Sequence, residues 1–116
     1  MSEFDYDEYE EPDADLFIFR LKNEPEAERR RNAAWQLGRI RDDKRVLPAL
    51  LDAMTDNDEG VRVRVAEALG TQKDAAVSPA LVSLLADADP EVRSQAVQSL
   101  AYQGDTAVIG YILPLL

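Results

Sequence analysis

Apolar residues in this chain come in short bursts at helical spacing, separated by clusters of acidic residues, glycine and proline. In Asp89-Pro90-Glu91-Val92-Arg93-Ser94-Gln95-Ala96-Val97-Gln98-Ser99-Leu100-Ala101, the residues Val92, Ala96, Val97 and Leu100 recur at spacings of three and four. That pattern puts them on one face of a helix. Asp89 has the place of an N-cap and Pro90 that of the first helical residue, where a missing N–H costs nothing. The phrase occurs three times. One copy earlier it reads Asp58-Glu59-Gly60-Val61-Arg62-Val63-Arg64-Val65-Ala66-Glu67-Ala68-Leu69-Gly70, and a more diverged copy runs from Glu26 to Gly38. Arg30, Arg62 and Arg93 are 32 and 31 residues apart, as are Leu37, Leu69 and Leu100. Self-similarity at such a period predicts stacked helical units.

A second kind of helix follows each of the first. It reads Val46-Leu47-Pro48-Ala49-Leu50-Leu51-Asp52-Ala53-Met54 and then Val77-Ser78-Pro79-Ala80-Leu81-Val82-Ser83-Leu84-Leu85, with the prolines 31 apart in the first turn. The same step places Val108 to Leu116 in register, but Gly110 stands where the proline should be and Pro114 falls near the end. A weak, short or kinked helix is expected there. Gly38 and Gly70, directly after Leu37 and Leu69, are expected to end their helices in the left-handed conformation; Gly104 takes that role in the third copy. Asp15 to Lys22 sits where the second helix of a preceding unit would lie, so it reads as a helix capping the stack. The expected organisation is an acidic, disordered tail over residues 1–13 and a repeat domain over 14–116. Within the domain we expect a capping helix at 14–23 and units at 25–55, 58–86 and 89–116. Their shared core should hold Leu50, Leu51, Met54, Val65, Leu69, Leu81, Leu85, Ala96, Leu100 and Ile112.

Charge separates the tail from the body. Residues 1–15 carry eight acids and no base; the remaining 15 acids face 13 bases, so most of the net charge of −10 lies in the tail. A segment so charged and poor in aliphatic residues resists folding alone. Cysteine and histidine are both absent, which removes disulfides, thiolate metal sites, and the commonest general base and metal ligand. No apolar run approaches the roughly 18 residues of a membrane span, and no signal peptide is visible. A cytoplasmic protein is expected.

Val-Arg, a small residue three positions on, Leu-Gly, a short link and Pro-Ala-Leu together resemble HEAT-like repeats, over about residues 16–116. The period is closer to the short variety found in phycobilisome lyases than to long HEAT repeats of about 40–47 residues. The resemblance implies an all-α fold: a right-handed α-α superhelix of about three helix pairs plus the N-terminal capping helix. It also implies a structural ladder. Glu24, Asp56 and Asp87 each stand six residues before Arg30, Arg62 and Arg93. In HEAT-like repeats a carboxylate at an inter-unit turn bonds the arginine and backbone of the adjoining helix, a charge-assisted contact.

Other residues admit a plain and a functional reading. Arg29, Arg31, Arg39, Arg41, Lys44 and Arg45 are a solvated face, or a basic group that the acidic tail folds over and masks. Trp35 takes the place of Glu67 and Gln98. It should face outward, and either packs beneath the N-terminal segment or anchors a partner. The apolar ending Tyr111 to Leu116 calls for cover by a second copy or by further repeats. No phosphate loop, serine nucleophile or buried carboxylate is evident, and HEAT-like iron hydroxylases need the histidines this chain lacks. We therefore expect a non-catalytic protein-binding module with no cofactor. Its partner is another protein or peptide, met on the concave helix face or the C-terminal face. Candidate contacts are Trp35, Ala49, Asp52, Ser78, Ser83 and Tyr111, with Ala53 beside them. A homodimer through the C-terminal face is an added expectation, and neither duplex DNA nor a membrane is. The alternative is a bilin lyase subunit or chromophore-attachment chaperone, as the lyase resemblance implies.

Overall fold

The computed structural model describes residues 11–104 together with Gly110 and Pro114. Among the described residues six α-helices follow in order: α1 (Ala14–Asn23), α2 (Ala27–Gly38), α3 (Val46–Asp52), α4 (Glu59–Leu69), α5 (Val77–Leu84) and α6 (Pro90–Gln103). A 3-10 turn, Ala53–Thr55, extends α3. No strand occurs among the described residues. The expected second helix of the third unit, with Tyr111 and Ile112, lies outside them, as does most of the acidic tail.

Aspartates cap the starts of three helices, α1, α4 and α6. The Asp58 carboxylate accepts from Val61 N at 2.8 Å, and Asp89 accepts from Glu91 N at 2.8 Å and Val92 N at 3.3 Å, with Pro90 opening the helix. Asp13 does the same for α1 through Leu16 N at 3.4 Å. The ends differ from the expectation. Gly70 has φ −62° and is right-handed; only Gly104, at φ 70°, is a left-handed glycine. The chain leaves α2 and α4 by tightening instead: Ile40 N bonds Leu37 O, and Gln72 N bonds Leu69 O, both at 3.1 Å. The two glycines answer to packing. A Cβ on Gly38 would lie 3.0 Å from Ala68, and one on Gly70 would lie 2.8 Å from Ser99. Glycine there lets α2 approach α4, and α4 approach α6.

The helices form two layers. α2, α4 and α6 stack on one another as the first layer, α1 packs against α2, and α5 against α6. Val61, Val65, Leu69, Val92, Ala96 and Leu100 fill the space between successive first helices; Leu50, Val77 and Leu81 close it from the second layer. Burying such side chains at about 1.5–3 kcal/mol each supplies a core that no single helix pair has alone. The second layer is looser. α1 touches α3, but α3 and α5 scarcely meet. Leu51 and Met54, expected in the core, are consequently only half-buried.

Candidate functional site

Two ladders lock the first layer. Arg30 donates from Nε to Asp56 Oδ2 at 2.9 Å and from Nη2 to Oδ1 at 3.1 Å, while its Nη1 donates to Glu24 O at 2.9 Å. Arg62 repeats the arrangement one unit on, reaching Asp87 at 2.9 and 3.2 Å and Asp56 O at 2.8 Å. Each arginine thus takes the backbone carbonyl of the acid six residues before it and the carboxylate of the next unit's acid. That carboxylate also fixes its own turn: Asp56 accepts from Asp58 N, and Asp87 from Asp89 N, both at 2.9 Å. Burial pushes the Asp87 carboxyl up, but the Asp89 N–H and Arg62 outweigh it and hold the group below the usual carboxylate range. Arg30 and Arg62 are raised in turn, chiefly by the hydrogen bonds to Asp56 and Asp87. The third rung is incomplete among the described residues. Arg93 bonds the carbonyls of Asp87 at 2.7 Å and Ala88 at 3.1 Å, with no carboxylate. The Glu24 carboxylate turns aside, 3.9 Å from Arg29.

The second ladder joins the opposite ends of the same helices and is built from neutral groups. Gln72 Nε2 donates to Ile40 O at 3.3 Å, and Gln103 Nε2 donates to Gly70 O and Gln72 O at 2.8 and 3.0 Å. The Thr71 hydroxyl bonds Gly38 O at 2.7 Å, and the Ser99 hydroxyl bonds Ala66 O at 2.9 Å. Nothing in the expected site anticipated these residues, although Gln72 and Gln103 stand 31 apart.

The open surface lies in the second layer. A cleft of about 700 Å³ runs between α1 and α3. Ile18, Leu21, Ala49 and Ala53 give it an apolar floor, and Lys22 and Asp52 stand on its rim. Arg45 bonds Asp15 across one edge. A second cleft of about 680 Å³ lies between the loops that follow α2 and α4, and the two meet at Pro48. Of the expected contact residues, the structure therefore brings together Ala49 and Asp52, with Ala53. Ser78 and Ser83 sit on α5 away from the cleft, and the Ser83 hydroxyl is turned to Pro79 O at 3.3 Å. Tyr111 lies outside the described residues. Trp35 is on another face. It is 43% exposed, with the Arg39 guanidinium 5.3 Å from its ring, so α1 does not bury it.

The basic group is dispersed by its own pairing. Arg31 forks onto Asp58 at 2.8 and 3.0 Å, Arg45 holds Asp43 at 2.7 Å, and Arg29 lies 3.6 Å from Glu26. The hydrogen bond from Arg31 brings the Asp58 carboxyl down to about 2, and that from Arg45 does the same for Asp43. Arg39, Arg41 and Lys44 remain without an ion-pair partner among the described residues.

Stacked helix pairs, cross-unit ladders and a cleft in the second layer define a small α-helical repeat protein. The family model for HEAT repeats matches residues 14–101, and the chain belongs to that family. No curated protein matches it in sequence. HEAT repeats commonly mediate protein–protein interaction. No helix among the described residues is long and apolar enough to cross a membrane.

Proposed function

We propose that the chain is a non-catalytic, cytoplasmic protein-binding module, and that the cleft between α1 and α3 receives an extended segment of a partner. The observation that carries this reading is the cleft itself: an apolar floor from Ile18, Leu21, Ala49 and Ala53, with charges of both signs around it, Lys22 and Arg45 against Asp15, Asp52 and Asp56. The two alanines in the floor leave room for a partner's larger side chains, and the rim charges fix its direction. Such a site selects a segment with apolar residues at alternate positions and mixed charge, rather than a phosphate backbone. Among the described residues no aromatic ring lines either cleft. Those residues give a tetrapyrrole no ring to stack on, so the protein-binding reading is preferred to the bilin-lyase alternative.

The test is selection of peptides from a random library on the full chain, with binding mapped by amide chemical shifts. Selected peptides should shift Ile18, Lys22, Ala49 and Ala53, and Ala53→Arg should weaken them at least about tenfold, some 1.4 kcal/mol. Peptides that map to the Trp35 face, or that bind Ala53→Arg unchanged, would sink the reading.

A further inference from the structure

Residues 1–10 contain five acids (Glu3, Asp5, Asp7, Glu8 and Glu10), no base, and the aromatic residues Phe4, Tyr6 and Tyr9. The described chain begins at Glu11, and Glu11 is already engaged: its carboxylate accepts from Arg41 N at 2.9 Å. Arg41 is on the rim of the second cleft, so the tail is delivered to that site. The cleft is walled by Arg41, Lys44 and Lys73, and Leu47 and Pro48 form apolar surface within it. Among the described residues, none of those three cations has a carboxylate in ion-pair range. Asp42, Asp43 and Asp74 also line it; Arg45 offsets the charge of Asp43, which leaves three cations against two acids. Asp43 is held by Arg45 at 2.7 Å, and Asp74 accepts from Ala76 N at 2.8 Å.

We propose that residues 1–10 dock in this second cleft, their carboxylates meeting Arg41, Lys44 and Lys73 and their aromatic rings covering Leu47 and Pro48. Three features argue for the chain's own tail as occupant. Ten residues reach up to about 33 Å when extended, far more than the cleft demands from an anchor at its rim. Tethering raises the local concentration of the segment to the millimolar range, enough for a weak ionic contact to form. Acids interleaved with aromatic rings match cations beside apolar surface, since an ammonium or guanidinium is attracted by a carboxylate and by a ring face alike. The α1–α3 cleft meets this one at Pro48. The proposal does not depend on what occupies that cleft. It narrows the broader basic group to Arg41 and Lys44 and adds Lys73, three of the cations that have no ion-pair partner among the described residues.

The chain has no cysteine, so Ser2→Cys in the full chain gives a single attachment point for a nitroxide. At about 0.05 M salt the label should broaden the amide resonances of Arg41 to Leu47 and Gln72 to Asp74. At about 0.5 M salt, where screening is strong, they should recover. The double variant Lys44→Glu, Lys73→Glu should show the recovered pattern at low salt, with helix content by circular dichroism unchanged. Even broadening across the chain, broadening centred on Trp35 and Arg64, or broadening that persists in high salt would overturn the proposal.

Discussion

Arg30, Arg62 and Arg93 look equivalent along the chain, but the structure makes them unequal, and stability measurements should show it. Replacing Arg62 with alanine removes the fork onto Asp87 at 2.9 and 3.2 Å and the bond to Asp56 O at 2.8 Å. It leaves Asp87, whose side chain is only 10% exposed, with the Asp89 N–H as its remaining partner. Removing one half of a fully buried ion pair costs about 3–5 kcal/mol because the other charge is stranded. The Arg62 side chain is 17% exposed, so water relieves part of the penalty and about 2–4 kcal/mol is expected. Arg93→Ala breaks two bonds to carbonyls and strands no carboxylate among the described residues, so it should cost about 1 kcal/mol. Urea unfolding followed by helix circular dichroism reads both. With a slope near 2 kcal/mol per molar, Arg62→Ala should lower the midpoint by about 1–2 M, and Arg93→Ala by about 0.5 M. A cycle with Asp87→Asn should assign most of the Arg62 loss to that one pair. Equal midpoint shifts for Arg62→Ala and Arg93→Ala would refute the ladder as the source of the difference.

Acid should dissolve part of this locking. The Asp58 carboxyl, at about 2 in the folded chain against an ordinary 3.8, contributes stability above its unfolded value that is lost as pH falls from about 4 towards 2. Unfolding midpoints across that interval should therefore fall less steeply in Asp58→Asn than in the natural chain. Gly70→Ala should destabilise by about 1–3 kcal/mol, because the new Cβ meets Ser99 at 2.8 Å. An exposed helical glycine would gain about 1 kcal/mol from the same change, so thermal melting decides by sign. Gln103→Ala should speed amide hydrogen exchange near the C-terminal ends of α4 and α6 without altering peptide binding in the α1–α3 cleft.

The fold was legible because its devices repeat. Asp58 and Asp89 as caps, Pro48 and Pro79 in the first turns, and the step from Leu37 to Leu69 to Leu100 all mark units of one length. The place of α1 followed from that register rather than from its own apolar run, which suits a strand as well as a helix. Gly38 and Gly70 misled because glycine after a helix suggests a left-handed ending, and here close approach of neighbouring helices was the stronger demand. Gln72, Ser99 and Gln103 read as ordinary polar residues, since their partners are backbone carbonyls that composition does not reveal. The cleft was only half legible. Ala49, Asp52 and Ala53 were marked by lying on a second helix, but so were Ser78 and Ser83. What separates them is that α1 lies beside α3 and supplies the opposite wall of the cleft, a tertiary arrangement that no local pattern encodes.

Every ionic rung is shared across a boundary, the guanidinium from one unit and the carboxylate from the next. A tandem duplication of residues 56–86 would therefore bring a complete set of connections with it. The original Arg62 would meet the copied Asp56, and the copied Arg62 would meet Asp87, at unchanged chain separation. The amide rungs on the opposite edge would pass from unit to unit in the same way. Lengthening such a protein requires no new joint, so its size can change by whole units while the chemistry of each boundary stays the same.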